Sequence, residues 1–183
     1  YRAPDGNAGQ ITNRLNIGRN AQLYWLPQET ILFDGCNIRR QLNVEVDPSG
    51  SALILEPLVF GREASGETIR SCQFHDCVSI TSKDELFYFD RIQLTGDLAS
   101  SLVRGAVAGG ARAMASIILV DANAALMLGP CRALSPATAG ASMLSDTVLV
   151  MRILARDGFA LREALLPLLE CLTHNNVPKN WRL

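Results

Sequence analysis

Between Cys36 and Val46 the apolar residues Cys36, Ile38, Leu42, Val44 and Val46 fall on every second position, and the alternation breaks only at Arg40. Period two puts such side chains on one face of an extended strand and scatters them around a helix. The stretch must therefore be a half-buried β-strand, and its neighbours carry the same signature. Asp47-Pro48-Ser49-Gly50 is a turn with a mechanism, since Pro presets φ and Gly permits a positive one. A strand follows from about Ala52 to Phe60, and the segment Gly61 to Gly66 turns the chain again. A long strand is expected over roughly Glu67 to Thr81, ending in a Lys83-Asp84-Glu85 turn. Leu86, Tyr88, Asp90, Ile92 and Leu94 then share one face, with Phe87 and Phe89 on the other. A strand apolar on both faces is expected between two layers. From Ile11 to Leu94 the chain should be almost entirely β, with helices confined to the region after Leu98.

The second half changes character. Leu98 to Arg112 is rich in Gly, Ala and Ser and reads as a loop crossing. Met114 to Val120 is continuously apolar, which suits a buried strand. Asp121 is placed to cap a short helix from Ala122 to Leu128, interrupted by Gly129-Pro130, with Cys131 to Leu134 as a further turn. Thr147 to Leu154 predicts another strand. Asp157 can cap a last helix with Leu161, Leu165, Leu168 and Leu172 on one side. Pro167 lies inside that helix and should kink or split it. No repeat of fixed period occurs.

At 183 residues the chain is one ordinary domain, large enough to bury a core. Hydrophobic residues make up 48% and charged residues 19%, which excludes a disordered chain. A formal net charge of −1 argues against electrostatic binding of nucleic acid. Apolar runs such as Ser116 to Val120 and Val148 to Met151 are far too short to span a bilayer. The five cysteines are odd in number and scattered, which is no disulfide framework and suits a reducing cytoplasm. With two histidines, His75 and His174, there is no His-rich metal-binding tract, and a Ser-His-Asp or Cys-His arrangement has few ways to form. No Gly-x-Ser-x-Gly elbow, P-loop or Gly-x-Gly-x-x-Gly fingerprint is present.

Two runs hold charged groups where chemistry could occur. In Trp25-Leu26-Pro27-Gln28-Glu29-Thr30-Ile31-Leu32-Phe33-Asp34-Gly35, Pro27 cannot donate to a ladder and belongs at a strand start or a bulge. Glu29 sits between apolar neighbours, where an unpaired carboxylate would be costly, so a tie to a backbone N–H or an Arg is favoured. Asp34 before Gly35 reads as a turn-forming acid. In Gly61-Arg62-Glu63-Ala64-Ser65-Gly66-Glu67 the glycines allow a tight connection. Its carboxylates either pair or face a cavity, where they could meet a divalent metal weakly. Cys72-x-x-His75-x-Cys77 offers three soft or borderline ligands close in sequence. On a regular strand Cys72 and Cys77 project to opposite faces, so a bulge at His75-Asp76 would be needed to converge them.

Taken together, these runs resemble the urease accessory proteins of the UreD type, also called UreH. The resemblance runs through Tyr1-Arg2 with Ala8, the Trp-Leu-Pro-Gln-Glu run, the Gly-Arg…Gly-Glu turn, and Asp90-Arg91 with Leu94. It continues through Ala139-Gly140-Ala141-Ser142 and ends at Val177-Pro178-Lys179-Asn180-Trp181, with Lys179 where the family has Arg. The chain opens at Tyr1 inside one of these segments and carries no Gly-rich segment like that of the family's N-terminal portion. The expectation is a single UreD-type domain over residues 1–183 that lacks this part. The resemblance implies a mainly β fold, a two-layered β-helix-like superhelix with one or two helices in the C-terminal half. It implies a cytoplasmic scaffold, not an enzyme, that bridges apo-urease to a UreF-type accessory protein and, through it, to the UreG-type GTPase. Nickel would be in transit and not tightly bound, and Glu67, the acid of the Gly-Glu pair, is the candidate residue on its path. Arg62 would hold a carboxylate in place. No catalytic residue, nucleic acid or membrane is implied. The alternative from the residues alone is a β-rich hydrolase or isomerase using Glu29 and Glu67 as paired acid and base.

Overall fold

A computed structural model describes residues 7–62 and 66–182. The Tyr1-Arg2 segment, Glu63, Ala64 and Ser65 lie outside them. Strands dominate, in the order β1 (Gly9–Ile17), β2 (Gln22–Trp25), β3 (Thr30–Leu32), β4 (Cys36–Val46), β5 (Ser51–Phe60), β6 (Cys72–Ser82) and β7 (Glu85–Gly96). Helix α1 (Leu98–Leu102), β8 (Ala113–Val120), α2 (Ala124–Leu134), β9 (Ala139–Ser145), β10 (Val148–Ala155) and α3 (Gly158–Leu172) follow, and a 3-10 turn closes at Lys179–Trp181. The fold is mainly β, and among the described residues every α-helix follows Asp97. Pro27 stands in the link between β2 and β3, where no ladder needs its missing N–H.

The chain divides into two compact units. The first comprises the residues up to Ala21, Ile31–Gly50 and Phe60–Gly109. Its sheet runs β1-β4-β6-β7, with β1 and β6 parallel to β4 and β7 antiparallel to β6. The alternation in β4 passes through Arg40 unbroken. Arg40 is buried on the same face as Ile38 and Leu42, because Asp76 lies opposite it in register on β6. Their side chains pair twice, Nε to Oδ1 at 2.9 Å and Nη2 to Oδ2 at 2.6 Å. A buried charge is tolerable only when paired in this way.

Several local expectations change for physical reasons. Gly50 keeps an ordinary φ. A Cβ there would stand 3.0 Å from Ile17 Cγ2 and 3.2 Å from two carbonyl oxygens, so lack of space, not a left-handed backbone, calls for glycine. Residues 67–71 are not strand: Arg70 N and Ser71 N bind the Asp34 side chain, and Glu67 N binds Arg62 O. Lys83 and Asp84 both take positive φ, the two-residue hairpin turn that matches strand twist, so Glu85 already belongs to β7. β7 ends its sheet and exposes Leu86 at 58% and Phe89 at 51%, so it is not enclosed between layers. A register shift opposite Ile80 and Thr81 makes Phe87 the extra residue of a bulge.

The second unit comprises Gln22–Thr30, Ser51–Val59 and Gly110–Leu183, with strand order β2-β5-β8-β10-β9. β8 is buried at all eight positions, as a continuous apolar run requires. Its Ile117 and Leu119 join Leu53, Leu55, Leu149 and Met151 in a core with Leu161, Leu165, Leu168, Leu169 and Leu172 of α3. Asp157 caps α3 by accepting from Ala160 N at 2.7 Å. Pro167 does not split α3, and α2 runs through Gly129 and Pro130 to Leu134. Burial of Ala124, Cys131 and the α3 leucines outweighs the missing proline donors. α2 starts after Asn123, while Asp121 ties the preceding turn through Asn123 N. α1 is a single capped turn within the expected crossing, and β9 is a strand over Ala139-Gly140-Ala141-Ser142 and beyond.

Candidate functional site

In the first unit the Gly-Arg…Gly-Glu turn is organised around one carboxylate. Gly61 (φ +85°) and Gly66 (φ +69°) adopt the left-handed backbone that only glycine enters without strain. They bring Glu67 back onto Arg62. Glu67 Oε2 accepts from Arg62 N at 3.0 Å and Nε at 3.1 Å, and Oε1 accepts from Arg62 Nη2 at 3.1 Å and Asp34 N at 3.2 Å. Asp34 in turn accepts from Arg70 N at 2.8 Å and Ser71 N at 2.9 Å, and the Arg62 guanidinium lies 5.8 Å from the centre of the Phe33 ring. Hydrogen bonding from Arg62 holds the Glu67 pKa down at about 2. The carboxylate is ionised, and four N–H donors occupy most of its acceptor capacity. Chemically it ties Asp34 to Arg62 through Glu67. A cation would have to displace one of these donors.

In the second unit the Trp-Leu-Pro-Gln-Glu run meets the chain's end. Arg162 on α3 donates to Glu29 from Nε (3.2 Å) and from Nη2 (3.0 and 2.9 Å), and to Gln28 Oε1 at 2.7 Å. Its guanidinium carbon lies 5.2 Å from the Trp181 ring centre. Trp181 is fully buried, and its Nε1 donates to Leu26 O at 3.0 Å. Trp25 Nε1 donates to the buried Glu56 at 2.8 Å. Glu29 is thus an acid held by an arginine, as the cost of an unpaired carboxylate demanded. Arg162 was not singled out from sequence, because a lone Arg among helical leucines looks like any solvent-facing charge.

The Cys72-x-x-His75-x-Cys77 ligands do not converge. β6 is regular through His75 and Asp76, with Cys72 buried on one face and His75 and Cys77 half-buried on the other. Among the described residues no group of three His, Cys, Asp or Glu is placed to hold a metal ion. His75 and Cys77 instead line a polar hollow of about 440 Å³ on that face, together with Gln10, Arg39, Gln41 and Arg91. An acid–base pair of Glu29 and Glu67 gains no support, since Glu67 is held ionised by Arg62 and Glu29 is engaged by Arg162.

The likeness to known proteins extends over the whole chain. The family model described as "UreD urease accessory protein" matches residues 1–182. A relative from Ruegeria pomeroyi, named Urease accessory protein UreD, is 42% identical over the whole chain, which covers 71% of that protein. Proteins of the same name from Roseobacter denitrificans and Rhizobium leguminosarum bv. viciae are 42% and 35% identical, and the chain covers 67% of each.

Proposed function

The chain belongs to the UreD family of urease accessory proteins, and from that membership we propose that it serves urease maturation as a scaffold. It bridges apo-urease to a UreF-type accessory protein, which brings the UreG-type GTPase, and nickel passes through the assembly to the urease active site. The match over residues 1–182 carries this reading. The geometry is in keeping with it: the family-like segments end in ties that hold loops and termini in place, such as Arg162 on Glu29 and Trp181 on Leu26. Transit needs weak, oxygen-rich contacts, because a closed thiolate site would retain the ion. Among the described residues no helix is long and apolar enough to cross a membrane, and a cytoplasmic location accords with the role.

The test is reconstitution. The chain, a UreF-type protein, a UreG-type GTPase and apo-urease are mixed at limiting nickel, and complex formation and urease activity are read separately. Co-purification with the UreF-type protein and urease, with activation that depends on the chain, is expected. Activation indifferent to the chain, with no complex formed, would overturn the proposal. Glu67 enters as its test residue. Its four N–H partners favour a tying role, so Glu67→Gln should lower assembly and activation in parallel. Activation lost per assembled complex would assign it to the nickel path instead.

A further inference from the structure

β4 and β6 each begin on a cysteine, and the register sets them side by side: Cys36 is the Cα partner of Cys72. Their sulfurs are 3.4 Å apart. Both side chains are buried, with 2% and 1% exposure. Adjacent strands run about 4.8 Å apart, and a disulfide requires Cα atoms roughly 4.4–6.8 Å apart. In-register cysteines on adjacent strands fall near this range, and their sulfurs already lie in contact.

The two sulfurs are also chemically unlike. Either thiol can donate the hydrogen bond that joins them; this bond draws the Cys36 pKa down to about 7, while Cys72 is raised by the same bond and by burial. Cys36 is the readier thiolate and Cys72 the proton-bearing neighbour able to resolve it. The pair lies at the end of the sheet under the loops already tied by Asp34. Gly35 N donates to Ser71 O at 2.7 Å, and Ser71 itself is exposed. Each cysteine is thus one residue from this loop pair. Such a cover admits a small oxidant more readily than a bulky one. Cys77, on the opposite face of β6, has Gln41 and Arg91 as register neighbours, and Cys131 is pushed up to about 11 by burial in the other unit.

We propose that Cys36 and Cys72 form a redox-active dithiol, a modification site at which hydrogen peroxide closes a disulfide between β4 and β6. The Cys36 thiolate attacks one peroxide oxygen, the O–O bond breaks, and hydroxide leaves and is protonated to water. The sulfenic acid left on Cys36 is then attacked by the Cys72 sulfur. The S–O bond breaks, and the departing hydroxide takes up the Cys72 proton as a second water. Two thiols and one peroxide yield one disulfide and two waters, the sulfurs losing two electrons and the peroxide gaining them. The staple locks the loops around Glu67 and Asp34 to both strands.

The experiment treats the whole chain with hydrogen peroxide or, separately, glutathione disulfide, then blocks remaining thiols with N-ethylmaleimide and maps peptides by mass. Peroxide should yield a cross-linked peptide joining Cys36 and Cys72, lighter by two hydrogens than its parts and reversed by dithiothreitol. Cys77, Cys131 and Cys171 should remain open to maleimide after unfolding, and glutathione disulfide should react more slowly. A second arm labels sulfenic acid with dimedone in Cys72→Ser, where Cys36 should be trapped, and in Cys36→Ser, where Cys72 should not. Oxidation of Cys77 while Cys36 and Cys72 stay reduced would overturn the proposal, as would scrambled cross-links. Should a serine variant fail to fold, the peptide map of the unaltered chain decides by itself.

Discussion

Arg40 and Asp76 show what one buried pair does to a sheet. Their side chains are 7% and 4% exposed and joined by two hydrogen bonds, so neither can lose the other cheaply. Asp76→Ala should cost about 3–5 kcal/mol, because it leaves the Arg40 guanidinium buried without its carboxylate. The double change Arg40→Met with Asp76→Leu should recover most of that loss, since apolar side chains need no partner there. Urea unfolding of the three proteins measures both outcomes, and a double variant as unstable as the single one would contradict the account. Glu67 acts through pH. Its folded pKa is about 2, below the ordinary 4.5, so the unfolded chain binds the proton more tightly. The stabilisation it supplies is complete above pH 4.5 and is lost as pH falls towards 2. The stability gap between the protein and Glu67→Gln should therefore be flat at neutral pH and shrink across that acid window. A gap that widened on acidification would give Arg62 and Asp34 no part in it.

At the scale of elements, β7 is the liability. It ends its sheet, is twelve residues long and exposes Leu86 and Phe89 on its solvent side. An unpaired edge with exposed apolar side chains invites pairing with another chain, and the Phe87 bulge is only a partial defence. The chain should self-associate, increasingly with concentration. Phe89→Lys, a charge placed on that edge, should reduce the association without lowering the thermal midpoint. Light scattering against concentration reads the first effect and calorimetry the second. Unchanged association would remove β7 as its cause. The period-two pattern announces β4 to the residue, because one face of it must be buried. It also led to β7 being read as enclosed, since apolar residues on both faces look the same whether a layer covers them or not. Pro130 and Pro167 suggest breaks for the same reason: local cost is visible in sequence, and the packing that outweighs it is not.

On the scale of the whole chain, the second unit is closed by residues far apart in sequence. Trp181 reaches Leu26 across 155 positions, and Arg162 reaches Glu29 across 133. Trp181→Ala should cost about 3–5 kcal/mol, a large part of an ordinary domain's stability. Arg162→Met should cost less and add to it imperfectly, because the guanidinium stacks on the same indole. A double-variant cycle by chemical denaturation tests this, and strict additivity would deny the coupling. Both closing residues lie in family-like segments or against them, so the resemblance marked places that hold the fold together.

Sequence by itself determined the β character of the first half, the turn at Lys83 and Asp84, the cap at Asp157 and the family. Each of these rests on interactions within a few residues, or on motifs whose order survives in one dimension. Tertiary structure alone decided that Arg40 is buried with Asp76, that Glu67 is held by Arg62 and Asp34, and that Cys72 meets Cys36 instead of His75 and Cys77. Which strand lies beside which, and in what register, sets those partners. Alternation gives the facing of a side chain, whereas its neighbour is chosen by a pairing some thirty residues away.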